Sequence, residues 1–163
     1  MPCLLWDASA LVKRYAPEVG TETVKSLFEL SNVSMAITYL GYAEVCAVLR
    51  RKHNRGTIDK ATFQTARQAV EQEVLLAPAV DLVTIDDADM LTGVGLTDKH
   101  HINSSDAAIL SAFLRYILQS PLTCLLVSAD QHLLRAAKTE GILTLNPETT
   151  TNSSLPLFLQ NLP

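Results

Sequence analysis

The chain has 163 residues, 48% of them apolar and 18% charged, with a formal net charge of −4. That balance fits one globular domain with a continuous core and excludes a disordered chain or a disulfide-dependent miniature. No apolar run is long enough to span a bilayer, and the acidic balance argues against a broad basic face that coats nucleic acid.

The N-terminus lacks the basic stretch, apolar stretch and small-residue cleavage site of a signal peptide. Cys3, Cys46 and Cys124 are odd in number, far apart and set among apolar neighbours. Buried free thiols in a reducing compartment are expected, with no disulfide framework or zinc site, and the expected location is the cytoplasm.

Strand-like apolar runs occur at 3–6, 34–38, 81–85, 123–127 and 142–145, separated by longer helix-compatible segments. This alternation predicts an α/β domain with a largely parallel sheet. A helix is predicted over 59–77, with Phe63, Ala66, Val70, Val74 and Ala77 on one face and Asp59 as its N-cap. Another is predicted from Asp130 to about Glu140, closed by Gly141. The segment "PETTTNSSLPLFLQNLP" begins polar and ends in Leu155, Leu157, Phe158, Leu159 and Leu162. The expected division is a domain over 1–147 and a tail over 148–163 that packs on the domain or on a partner.

Charge spacing carries the most information. Asp7 is the only charged residue before Lys13, and Glu44 is the only one between Glu29 and Arg50. Asp106 stands alone between Lys99 and Arg115, and Asp130 alone between Arg115 and Arg135. An ionised carboxylate in apolar surroundings is costly unless it is paired, hydrogen-bonded or bound to a cation. Asp7 and Asp130 follow predicted strand ends, where open α/β sheets place their sites. Asp106 falls in a first helical turn, and Glu44 lies on a line with Leu40 and Val48 and so points inward. Four oxygen donors without His or Cys suit a hard cation, Mg²⁺ or Mn²⁺. Such an ion activates water and stabilises the charge of a phosphodiester transition state.

Structural explanations compete at each position. Asp7 and Asp130 also fit plain N-caps, Asp106 fits a residue that complements the helix dipole, and Glu44 fits a partner for a distant arginine. Asp86, Asp87 and Asp89 crowd another first turn, where capping and solvation account for them. His100 and His101 match no zinc spacing and are expected to be loop histidines on the surface.

With these residues in hand, the chain resembles a PIN-domain nuclease, and in particular the VapC-type ribonuclease toxins of toxin–antitoxin pairs. The resemblance runs from "LLWDASALVKRYAPEVGTE" through "AITYLGYAEVCAVLRRKHNRGTID" and "HINSSDAAILSAF" to "LLVSADQHLLRAAKTEGI". It implies an α/β/α sandwich around a mostly parallel sheet of four to five strands, with the strands ending at Asp7 and Asp130 adjacent. It also implies that Asp7, Glu44, Asp106 and Asp130 form an acidic site for one or two Mg²⁺ or Mn²⁺ ions. Ser9 and Ser128 match the family's polar residues beside the first and last aspartates.

The implied activity is hydrolysis of RNA by a metal-dependent endoribonuclease. Asp7 and Asp106 are expected as principal ligands, Glu44 as a ligand or water-orienting group, and Asp130 at a second or water-mediated position. Lys13, Arg14, Arg50, Arg51, Lys52 and Arg55 are candidates to hold the flanking RNA backbone. The cluster at 50–55 equally fits a solvated helix end. Expected partners are RNA, a protein antitoxin and a second copy in a homodimer, with no membrane. The alternatives are a stand-alone RNA-processing PIN nuclease and a non-catalytic PIN-like binding module. A dehalogenase-type phosphatase is disfavoured because Ser9 stands where it needs a second aspartate. A receiver domain lacks its lysine after a late strand.

Overall fold

Cys3, Leu4, Leu5 and Trp6 are all buried, so the first strand, β1 (Cys3–Trp6), is covered on both faces. A run that is apolar on successive residues belongs inside a sheet flanked by helices. The computed structural model describes residues 2–151. After β1 come α1 (Ala8–Leu11), a 3₁₀ turn at Val12–Arg14, α2 (Thr21–Phe28), β2 (Ser34–Thr38) and α3 (Tyr39–Asn54). The chain continues through α4 (Lys60–Val70), a π turn at Glu71–Leu75, β3 (Val80–Val83), α5 (Asp87–His100) and α6 (Ser104–Gln119). It ends with β4 (Cys124–Val127), α7 (Gln131–Thr139) and β5 (Leu143–Leu145).

The five strands lie in the order β3-β2-β1-β4-β5, and every pairing is parallel. Leu4 and Trp6 point into one core with residues of α1 to α4, such as Leu11, Leu27, Leu49 and Phe63. Cys3 and Leu5 point into the other with Leu96, Ile109, Phe113 and Leu133 from α5, α6 and α7. The result is the expected α/β/α sandwich. From β1 the chain moves outward to β2 on one side, whereas β4, its neighbour on the other side, is reached only after α6. The gap beyond the ends of β1 and β4 is therefore the switch point of the sheet, where open α/β folds bind ligands.

Two predicted elements differ in extent. The helix expected over 59–77 is capped by Asp59, which accepts from Thr62 N–H, but it is regular only to Val70. It widens into the π turn, with Leu76 N–H bonded to Glu71 O, so Ala77 lies past its end. The third strand, Val80–Val83, ends two residues before the predicted end at 85, and the chain reaches the extended N-cap of α5 at Asp86.

Two structural expectations are corrected. Asp89 is not solvated: it is 3% exposed, closes a capping box with Asp86 and accepts from Arg115 Nη2 at 2.6 Å. His100 is neither in a loop nor on the surface. It is the buried last residue of α5, with Nε2 against Glu140 Oε1. His101 is exposed and takes the left-handed conformation (φ 54°) that turns α5 into α6. Cys3 and Cys124 are buried free thiols, as expected, and Cys46 is half-buried. Residues 148–151 lie against the domain through Lys13–Glu148 and Thr23–Thr150 bonds. The apolar end of the predicted tail falls outside the described residues.

Candidate active site

Asp7 caps α1 and Asp130 caps α7, so the structural reading of both is true and incomplete. Asp130 takes His132 N–H and Leu133 N–H on Oδ1 alone, at 2.7 and 3.0 Å. Asp7, only 4% exposed, takes Ser9 N–H and the Ser9 and Ser128 hydroxyls on Oδ2. Among the described residues neither Asp7 Oδ1 nor Asp130 Oδ2 has a hydrogen bond, so each cap leaves one oxygen for other use.

The two serines also bind the loop after β4. Ser9 Oγ accepts from Ala129 N–H at 2.9 Å, and Ser128 Oγ accepts from Asp130 N–H at 3.0 Å. Each hydroxyl thus donates to Asp7 and accepts from the backbone that carries Asp130. Asp106 sits in the first turn of α6, whose N-cap is Asn103. Asn103 Oδ1 accepts from Asp106 N–H at 2.8 Å while its amide donates to Asp106 Oδ2 at 2.7 Å. Glu44 lies half-buried in α3 and makes no salt bridge among the described residues.

Electrostatics brings the four acids together. Burial and the charges of Asp7, Asp130 and Glu44 push Asp106 up to about 7, against the Asn103 hydrogen bond. Burial raises Asp7, helped by the charge of Asp130 and opposed by the Ser9 and Ser128 bonds. Burial and the charge of Asp7 raise Glu44, with Ser105 and Arg51 pulling the other way. Carboxylates from separate elements therefore act on one another through space, with Asp106 feeling the charges of the other three, and the charge of Arg51 lowers Glu44.

That chemistry fits a divalent cation. The side-chain positions are more open than a finished shell: among the described residues no three Asp, Glu, His or Cys groups meet closely enough to hold one ion.

The six basic candidates divide. Lys13 is buried between Glu18 and Glu148, and Lys52 is bonded to Glu18. Arg14 is held by Glu73 and packs over Phe28, while Arg50 packs over Phe63. Arg51 and Arg55 are exposed and have no ion pair among the described residues. Sequence reasoning did not single out Asn103 or Ser105. The Asn-x-x-Asp spacing ahead of an apolar helix was the available signal for Asn103.

A parallel sheet with carboxylates just past the ends of its neighbouring central strands β1 and β4 is the frame of the site. The PIN-domain family profile matches residues 4–139, and the chain belongs to that family, which is a nuclease family. A comparison with curated proteins gives no match. Among solved structures the fold is similar to VapC20 of Mycobacterium tuberculosis, a Sarcin-Ricin loop cleaving toxin. It superposes with a TM-score of 0.64 at 12% identity, covering 91% of this chain and 99% of that one. FitAcB from Neisseria gonorrhoeae gives 0.61 at 15% identity over 90% and 99% of the two chains. A toxin–antitoxin complex from Klebsiella pneumoniae gives 0.58 at 15% identity over 88% and 97%. At such identities the likeness concerns the fold. No helix among the described residues is long and apolar enough to cross a membrane.

Proposed function

We propose that the chain is a metal-dependent endoribonuclease that hydrolyses RNA phosphodiester bonds as the toxin of a toxin–antitoxin pair. One observation carries the reading: Asp7, Glu44, Asp106 and Asp130, from four separate elements, share each other's charge at the switch point with almost no basic compensation. A scaffold gains nothing from such repulsion, which lowers its stability.

Asp7, Glu44, Asp106 and Asp130 would hold one or two Mg²⁺ or Mn²⁺ ions. Bound there, a divalent cation supplies activated water at neutral pH and charge neutralisation at phosphorus. Ser9 and Ser128 fix the Asp7 carboxylate and keep its Oδ1 free. Asn103 holds Asp106 from the rim of α6. Glu44, half-buried in α3, would ligate the ion or orient the attacking water. The toxin assignment draws on similar structures that include a toxin–antitoxin complex and a Sarcin-Ricin loop cleaving toxin. It brings with it a protein antitoxin, a homodimer and a cytoplasmic setting. A stand-alone RNA-processing nuclease is the alternative with the same site.

The test is cleavage of RNA by chelated protein resupplied with Mg²⁺ or Mn²⁺. Activity is expected to return, with 5′-phosphate and 3′-hydroxyl ends, and to disappear in Asp7→Asn and Asp106→Asn. Full activity in either variant, or in EDTA, overturns the reading.

A further inference from the structure

A cleft of about 400 Å³ opens beside the acids, walled on the site side by Ser9 and Ala129 and on the other by the last turns of α3. Ser9 is the residue whose hydroxyl binds Asp7, and Ala129 N–H donates to that same hydroxyl. Cleft and carboxylate site therefore share a wall.

Charge accounting shows what the cleft attracts. Lys13 and Lys52 line it together with Glu18 and Glu148. Lys13 is bonded to Glu18 at 2.9 Å and to Glu148 at 2.7 Å, and Lys52 is bonded to Glu18 at 2.6 Å. Two lysines and two glutamates cancel. Arg51 and Arg55 also line it, one helical turn apart, exposed and without an ion pair among the described residues. Two planar, forked guanidinium groups lining one opening suit bidentate bonds to phosphate oxygens. The neighbouring Arg50 packs over Phe63 with its guanidinium carbon 4.2 Å from the ring centroid, and Arg14 is bonded to Glu73. Of the basic stretch, Arg51 and Arg55 are the residues that line the cleft without an ion pair among the described residues.

We infer that Arg51 and Arg55 hold the phosphate that flanks the scissile one on a single nucleic-acid strand. The inference rests on the nuclease reading for its substrate class, and it names the groups that position that substrate. An acidic protein segment is the other polyanion to consider. The shared wall favours the nucleic acid, because one continuous polyanion then serves both the acids and the arginines.

The experiment is binding of a fluorescein-labelled single-stranded oligoribonucleotide in EDTA, followed by anisotropy as a function of salt. Cleavage with Mn²⁺ is measured in parallel on the same proteins. Arg51→Gln/Arg55→Gln is expected to bind about tenfold more weakly and to lower the slope of log K against log salt by about 1.4. Its KM should rise while kcat changes little. Arg50→Gln serves as the control and should bind as the unaltered chain does. Undiminished binding by the double variant overturns the inference, as does an equal loss in Arg50→Gln. Displacement of the oligonucleotide by polyglutamate at matched charge concentration overturns it too, and assigns the cleft to an acidic segment. The two readings separate cleanly. Arginine-dependent binding without any Mn²⁺-dependent cleavage removes the nuclease, and cleavage with arginine-independent binding removes the cleft.

Discussion

Ser9 and Ser128, 119 residues apart in the chain, donate to the same carboxylate oxygen of Asp7, and their hydroxyls lie 3.2 Å from each other. Since each also accepts a backbone N–H from the loop that carries Asp130, the pair joins the ends of β1 and β4 into one unit. Removing either hydroxyl leaves a buried carboxylate oxygen short of a donor and a backbone N–H without its acceptor.

Ser128→Ala and Ser9→Ala should each cost about 2 kcal/mol of stability, the scale of a hydrogen bond to a charged group. The two losses should be non-additive, since both act on one oxygen. Urea unfolding of the single and double variants measures this. Additive losses would mean that the serines do not act through a shared acceptor. Mn²⁺ affinity, read by calorimetry, should fall in both variants.

Three of the site acids hold their protons to higher pH than usual, which gives the metal-free protein a defined pH response. A folded-state pKa above the unfolded value means that the native state binds more protons in the interval between them. Stability from that source is full below the ordinary carboxylate range, about pH 4, and is lost as pH rises through about 7 for Asp106. Glu18, Glu73, Asp89 and Glu140 are shifted downward by bonds to basic groups, so their contribution is lost only at more acidic pH. Between pH 5.5 and 8, in EDTA, melting temperature should therefore fall. For the partly exposed Asp106, allowing for solvent screening, about 1 kcal/mol is expected, or roughly 3 °C. Divalent cations should raise Tm more at pH 8 than at pH 5.5, because they bind the ionised acids. A melting temperature that is flat in EDTA, or an Asp106→Asn variant with an unchanged slope, would contradict the shared-charge picture.

Gly93 lets α5 pack tightly on the first turn of α6: a Cβ there would stand 3.2 Å from Ala108 N and 3.3 Å from Ala107 C. Those are backbone atoms, one turn or less from Asp106, and they cannot rotate aside. Gly93→Ala gains helix propensity of about 1 kcal/mol but must push the start of α6 outward. The expected outcome is a stability change near zero with a measurable loss of Mn²⁺ affinity, whereas Gly95→Ala, which meets nothing within 4 Å, should stabilise the helix and leave affinity intact. Equal behaviour of the two variants in thermal melts and metal titration would rule out the packing argument.

Much of the site was legible because isolation is a property of sequence. A carboxylate with no lysine or arginine nearby in an apolar stretch advertises an uncompensated charge, and Asp7, Glu44, Asp106 and Asp130 are the candidates named on that ground. The capping reading of Asp7 and Asp130 was equally visible and is the one observed, and it leaves the second oxygen of each carboxylate for the proposed role. Asp89 and His100 were misread for one shared reason. Their partners, Arg115 and Glu140, are 26 and 40 residues away, and no local pattern announces such a pairing.

The basic residues show the same division from the other side. On paper Lys13, Arg14, Arg50, Arg51, Lys52 and Arg55 were equivalent positive charges. Their availability depended on whether Glu18, Glu73, Glu148, Phe28 or Phe63 folded against them.

The order of apolar runs and helical segments determined a parallel α/β sheet by itself, since hydrophobic period and chain connectivity are local and additive. Which strands are neighbours, which acids share a space and which cations stay free were decided only by the tertiary structure. Coulomb interactions and burial depend on distance through space, and a linear chain carries no record of that distance until it has folded.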